Sequence, residues 1–599
     1  MTATLHATRS AETDVDPVTW DLSDLYASPD APEIDRDLDW ARCEAERFHA
    51  DFAGRLAGLT SAEFGRAIAT YEAITERLYR TMAYGQLYFA EDMADAARGR
   101  FLQSLQERYN AISTETLFFT LELNRLDEGT VDRLLTDPAA GRYAPWVREA
   151  RTFAPHQLSD EAEELLHDKS VTGASAWVRL FDQTLAKLRC RIDGAELTLA
   201  DTLNRFDSTD REVRRTAGKA LGAALADRVD VFSLVVNTLA KDKEIEDKWR
   251  RYPTPISYRN LSNRVEDEVV EALVGAIKGA YEELAHRYYR LKAGWFGRDT
   301  MDYWDRNAPI PGDDNRRFTW PEARDLVLDS FGRFEPKMAA LADRFFSGGW
   351  IDATPRPGKD SGAFSHPLVP SVHPYILLNF YGRHRDVTTL AHELGHGVHQ
   401  LLAYEQGVLM ADTPLTLAES ASVFGEMLVF QALLAAETDP ARRRRLLAGK
   451  VESMLNTVVR QIAFHDFEQR VHGERQAGEL SVERLGEIWL DTAHESLGPA
   501  FRFDDEYRYY WAYIPHFIHS PFYVYAYAFG DCLVNSLYRV FSEGHLGFQD
   551  KYLAMLRAGG TLRHRELLQP FGLDAGDPGF WRRGLEVIVG FIDELEALS

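Results

Sequence analysis

The chain has 599 residues, 45% of them hydrophobic and 27% charged, with a formal net charge of −25. That length exceeds what one hydrophobic core usually serves, so two lobes are expected, and the acidity argues against nucleic-acid and anionic-membrane partners, whose phosphates it would repel. No run of eighteen apolar residues stands out as a membrane span, and three widely spaced cysteines, Cys43, Cys190 and Cys532, exclude a cysteine zinc site and fit a reducing cytoplasm.

Residues 1–16 lack an apolar signal core and read as a disordered tail. Ile34, Leu38, Ala41, Ala45, Phe48 and Phe52 then form an apolar stripe at helical spacing, and Phe64, Ile68, Tyr71, Ile74 and Leu78 form the next. Such stripes are core. Similar helical stretches run over about 92–123 and 211–249, until Tyr252-Pro-Thr-Pro255 breaks the pattern. Another helix begins at Glu266. An irregular stretch at 307–314 precedes a helix over 321–331, and the one place where strands are expected is about 360–381.

A turn at 382–385 leads to Asp386, a suitable N-cap, and to a helix over 387 to about 403 with Leu390, Leu394, Val398 and Leu401/Leu402 on its apolar side. This helix carries His392-Glu393-Leu394-Gly395-His396. Histidines four apart share a helix face and can hold one zinc ion at about 2.0–2.1 Å each. Glu393 points roughly 100° round the helix, where it can act as a base without being a ligand. Gly395 and Gly397 each cost about 1 kcal/mol relative to Ala inside a helix, so either another helix or a substrate approaches the backbone there. His399, one turn beyond His396, reads as a supporting or core residue.

Two histidines and a water leave one protein ligand to find. The spacing does not fit the zincins that take a third histidine from this same run, since position 402 is Leu. Thr413-Pro414 reads as a helix start, and the helical segment 415–434 carries Glu419, Ser422 and Glu426 on one face. Glu419 is the expected third ligand, with Asp412 and Glu405 as alternatives. Glu426 reads either as an acceptor for a ligand-histidine N–H, fixing its tautomer, or as a surface carboxylate. The segment 360–381 could pair a peptide backbone along a strand edge, with Gly362 and Ala363 allowing close approach, or could be an ordinary small sheet. From Tyr507 to Phe529 aromatics crowd the chain; a core role is the default for each, yet this is the densest source of Tyr and His donors for the oxyanion of a hydrolytic intermediate.

Thr389-Leu-Ala-His-Glu-Leu-Gly-His396 followed by Glu419-Ser-Ala-Ser-Val-Phe-Gly-Glu426 resembles the thimet oligopeptidase family, in particular its oligoendopeptidase F branch. Trp20-Asp-Leu-Ser-Asp-Leu-Tyr26, Lys359-Asp-Ser-Gly-Ala-Phe364, Pro515-His-Phe517 and Phe522-Tyr-Val-Tyr-Ala-Tyr527 match it too, in the expected order. The resemblance implies a mainly α, two-lobed helical zincin-type metallopeptidase with a deep central substrate channel and a small β segment beside the zinc helix. It implies an N-terminal helical lobe over 17–205 and a catalytic region over 206–599. It further implies a cytosolic endopeptidase for short peptides, with one Zn2+ per chain held by His392, His396 and Glu419, and Glu393 as base. Tyr525 is the favoured oxyanion donor, with Tyr523 and Tyr527 behind it, and His516 is preferred to His519 for contacting substrate. Two rivals remain: a carboxydipeptidase, with Arg383, Arg385 or Arg508 fixing the terminal carboxylate, and a peptide-binding protein whose zinc is structural. Oligomeric state is left open.

Overall fold

The computed structural model describes residues 17–170, 172–312 and 316–598; the tail expected over 1–16 and part of the irregular stretch 307–314 lie outside the described residues. The chain is mainly helical. The first stripe folds as α1 (Pro32–Phe52), which buries Ile34, Leu38, Ala41, Ala45 and Phe48. The second folds as α2 (Ser61–Ala90), where Thr60 and Glu63 cap each other's backbone N–H. Both pack on α3 (Ala96–Arg125). The run expected over 211–249 is two helices, α4 (Arg211–Ala226) and α5 (Val229–Arg250), followed by α6 (Asp267–Gly279). Among the described residues, buried apolar side chains form two clusters. The larger runs from Trp20 to Leu595 and includes the motif helix; the smaller joins Phe181 and Leu188 to Phe464, Trp511 and Val524, so it draws on both sides of residue 205.

Helices α7 (Trp320–Phe334) and α8 (Pro336–Ser347) lead into a three-stranded sheet. Its strands, β1 (Ile351–Asp352), β2 (Phe364–His366) and β3 (Tyr375–Leu377), are shorter than the sequence suggests. β3 is central, parallel to β1 and antiparallel to β2, with Ser365 opposite Ile376. β2 therefore lies at one edge. The following helix, α9 (His384–Ala403), starts three residues before the expected point. Asp386 is not its N-cap: the carboxylate sits one turn in and accepts the backbone N–H groups of Tyr381 and Arg383 at 2.8 and 2.9 Å.

The segment 415–434 is not one helix. It breaks after α10 (Leu415–Ala418) and resumes as α11 (Ser422–Ala436), leaving Glu419 at the break; Pro414 rather than Thr413 stands at the N-cap position. An eighteen-residue window of Leu415–Ala436 reaches a mean hydropathy of 1.3 although Glu419 and Glu426 interrupt its apolar residues, and 61% of that window is buried, as in a core helix. Beyond it come α12 (Pro440–Thr457), α13 (Val459–Arg475), α14 (Tyr525–Ser542) and α15 (Pro578–Ala597). α14 and α15 pack along their lengths, Phe529 against Trp581 at 4.8 Å between ring centroids.

Candidate active site

Close packing between α9 and the α10–α11 break assembles the site. A Cβ at Gly395 would lie 2.4 Å from the Ala421 carbonyl oxygen, and one at Gly397 would strike the Phe345 ring. The two glycines thus admit neighbouring protein, not substrate. Gly425 of α11 answers in kind, its missing side chain giving room to the Phe331 ring and the Ala391 carbonyl. With the backbones this close, Glu419 reaches both histidines. Its Oε2 lies 3.4 Å from His392 Nε2 and 3.6 Å from His396 Nε2, and ligand atoms of the three side chains lie within 4.8 Å of one another. Two ligands on a tetrahedral zinc with bonds of 2.0–2.1 Å stand about 3.3–3.4 Å apart, so the donor set fits that ion. Glu405 and Asp412 are not part of this group among the described residues.

The three candidate ligand side chains are held from behind. Ser422 Oγ donates to Glu419 Oε2 at 2.5 Å. His392 Nδ1 lies 3.4 Å from Glu426 Oε2, which leaves Nε2 facing Glu419. Lys450, buried on α12, donates to the other oxygen of Glu426 at 2.7 Å. Burial opposes the charge on Glu426, but Lys450 and His392 outweigh it and hold this carboxyl down to about 2. Glu426 is an internal partner, not a surface carboxylate. Burial lowers His392, yet the carboxylates of Glu426, Glu419 and Glu393 raise it to about 9. Burial, reinforced by His392, drives His396 down, which favours the neutral imidazole that a metal requires. Lys450 was missed from the sequence, although a lysine among the buried Leu447, Val451 and Met454 of α12 was a visible signal.

Glu393 is 5% exposed. Burial pushes its carboxyl up to about 7, with the Glu419 charge adding and His392 and the Ser365 amide opposing. Ser365 belongs to edge strand β2, which is tied to α9: Ser365 Oγ donates to Gln400 Oε1 at 2.8 Å, and Gln400 Nε2 donates to the Ser365 carbonyl at 3.1 Å. Gly362 and Ala363, just before β2, are exposed. His399 is buried, and burial brings it down to about 4; it lines a cavity of about 310 Å3 with His396, Leu368 and Tyr404.

The aromatic segment divides. Tyr525 does not fit the donor role expected of it: it is 0% exposed, and its hydroxyl oxygen accepts from Asn263 Nδ2 at 2.9 Å in the core. His519 is also directed elsewhere, pairing with Asp182 at 2.8 Å. Tyr527, His516 and Tyr523 form a cluster of their own, with His516 Nε2 3.4 Å from the Tyr527 hydroxyl and the two tyrosine rings 5.1 Å apart. A Cβ at Gly530 would lie 3.0 Å from the Cβ of Glu419, and Tyr527 is one turn before Gly530 on the same face of α14. Burial raises the Tyr527 hydroxyl, with Tyr523 and the Glu419 charge adding, so it stays protonated. The turn that presents this cluster is strained: Phe522 is wholly buried with φ +59, and its N–H donates to buried Glu468 at 2.8 Å.

Beside His392 and Glu393 lies a cleft of about 910 Å3, flanked by Arg383, Arg385 and Lys450. Arg508 is remote from it, packed on Gly486 and 3.7 Å from Asp505. A separate cavity of about 580 Å3, lined by Phe153, His156, Tyr252 and Tyr258, shares no residue with the ligand group.

The description "Peptidase family M3" matches residues 333–587, which contain this whole ligand set, and "Oligopeptidase F" matches residues 122–189. The chain belongs to peptidase family M3. Membership makes it a metallopeptidase, a hydrolase. Among M3 relatives, oligopeptidase PepF of Bacillus subtilis is 26% identical over 97% of this chain and 87% of its own length. An oligoendopeptidase F homolog of Lactococcus lactis subsp. lactis is also 26% identical, over 97% of each chain. The fold is shared with a Chlamydophila abortus crystal structure at TM-score 0.87 and 23% identity, covering 98% of this chain and 99% of that one. It is shared too with oligoendopeptidase-F from Enterococcus faecium at TM-score 0.72 and 21% identity, covering 95% and 99%.

Proposed function

We propose that this M3 chain is a zinc-dependent oligoendopeptidase that hydrolyses internal bonds of short peptides. The observation that carries the reading is the buried Glu393 carboxyl beside three donor atoms within 4.8 Å of one another. A structural zinc site needs no such base, which weighs against a purely binding protein. His392, His396 and Glu419 would hold the ion. Once bound, zinc supplies Lewis acidity and brings the pKa of a water to about 7.

The chain's own groups do the rest. Glu393 takes a proton from the attacking water and delivers it to the leaving amine. Tyr527, on the Glu419 side of the site, donates to the developing oxyanion, with His516 and Tyr523 orienting its hydroxyl. The outward carbonyl of Ser365 in β2 is taken by Gln400, so an extended peptide would approach at exposed Gly362 and Ala363 just before that strand, which selects for peptide main chain more than for side chains. The relatives named for oligopeptides support the substrate class. Three free cysteines, two of them buried, support a reducing cytoplasm.

The test is cleavage of a peptide blocked at both ends. Wild type should cut it internally, and Glu393→Gln should abolish turnover while keeping zinc. A carboxydipeptidase, the reading favoured by Arg383 and Arg385 in the cleft, would leave the blocked peptide intact. Activity retained in Glu393→Gln would remove the base assignment.

A further inference from the structure

The cleft beside His392 and Glu393 is basic in a chain whose formal net charge is −25. Arg317, Arg383, Arg385, Arg442, Arg445 and Lys450 line it, against Glu393, Glu426 and Glu437. Two of these cations are internally matched: Lys450 binds Glu426 at 2.7 Å, and Arg442 binds Glu437 at 3.0 Å. Arg385 is different. It is exposed at the start of α9 and, among the described residues, forms no ion pair. It stands seven positions before His392, two helical turns, so both are on one face of α9 about 10 Å apart along the axis. Thr388 and Thr389 line the wall between them. Arg383 adjoins Arg385, its guanidinium 5.8 Å from the Tyr381 ring centroid.

The other side of the ligand group has a different chemistry. The cavity at His396 is walled by Tyr79, Leu368, Tyr404 and Val408 together with the carboxyl of Asp412, with no lysine or arginine among its lining residues. A peptide laid across the histidines therefore meets arginines at one end and no lysine or arginine at the other.

We propose that the basic cleft is a carboxylate subsite, with Arg385 and its neighbour Arg383 as specificity-determining residues. This deepens the peptidase reading above and rests on it. An extended peptide advances about 3.3 Å per residue, so a span of about 10 Å puts the recognised carboxylate about three residues from the scissile bond, on one side only. Charges of one sign in a walled cleft reinforce each other at the ligand, and planar guanidinium groups suit a carboxylate. The carboxylate is an Asp or Glu side chain or the free C-terminus of a short peptide.

The experiment uses the zinc-loaded full chain and one fluorogenic peptide sequence, its cleavage position fixed by mass spectrometry. Glu or Gln is placed at each of the three positions on either side of the bond, with the C-terminus free or amidated. Wild type should prefer Glu to Gln roughly five- to tenfold in kcat/KM at one outer position on one side, mainly through KM. That preference should fall towards unity in Arg383→Gln/Arg385→Gln and shrink with added salt. If the C-terminus is the source, amidation should cost the same factor and internal Glu should gain nothing. A ratio of one at every position with both C-termini, or a ratio that survives in the double variant, overturns the proposal. Cleavage without charge discrimination would sink this inference alone; cleavage of no peptide would sink the peptidase reading and this with it.

Discussion

Tyr525 and Tyr527 stand two positions apart, which on a helix is about 200° of rotation. One side chain enters the core against Asn263 and the other joins His516 near Glu419. Sequence density of aromatics cannot distinguish them, because both lie in one apolar, tyrosine-rich run; the deciding contact, Gly530 against Glu419, is made across the fold. Tyr527→Phe should therefore lower kcat by about 10²–10³ with little change in KM or zinc content, as steady-state kinetics would show. A normal kcat would remove the donor assignment.

Glu468 gives a second prediction at this scale. Burial pushes its carboxyl up to about 8, against the opposing pull of the Phe522 N–H and Arg259. A folded pKa above the unfolded value of about 4.3 means the native state holds the proton more tightly. That contribution to stability is complete below the unfolded pKa and is lost as pH rises towards 8. Glu468→Gln keeps an acceptor for Phe522 but cannot ionise. Its melting temperature relative to wild type should climb between pH 5 and pH 8, and a pH-independent difference would contradict the assignment.

The elements were legible where periodicity is long. Stripes of six and five apolar residues located α1 and α2, and the spacing around His392 located α9 within three residues at its start. The break at Glu419 was not legible, because Glu-Ser-Ala-Ser contains no Gly or Pro to announce it; the break arises where Ala421 is pressed against Gly395 of α9. The strands also fell short, since apolar residues around β3 serve helix packing as well as pairing. This close approach makes Gly395→Ala an informative change. Ala favours an isolated helix by about 1 kcal/mol over Gly, yet here its Cβ would meet backbone at 2.4 Å. The expected result is a net destabilisation of about 1–3 kcal/mol from overpacking, read by denaturant unfolding, together with weaker zinc binding as Glu419 is displaced. A stabilised variant would show that α9 and the break can separate freely.

At the scale of the whole molecule, length and composition predicted a large globular body and the apolar stripes made it helical, while the smaller buried cluster draws on both sides of residue 205. What composition hid was the distribution of charge: an acidic chain with arginines lining the cleft beside His392 and Glu393. The candidate ligand group was readable because two of its members and the proposed base share five consecutive residues, while the third follows 23 residues later. Its supporting Lys450 comes from another helix, and no local pattern ties the two together. The most direct check on the account is metal content per chain after purification and dialysis against limiting zinc. Wild type should retain one zinc, and Glu419→Ala should retain close to none while remaining folded by circular dichroism. An undiminished single zinc in Glu419→Ala, or none in wild type, would contradict the site on which every later step depends.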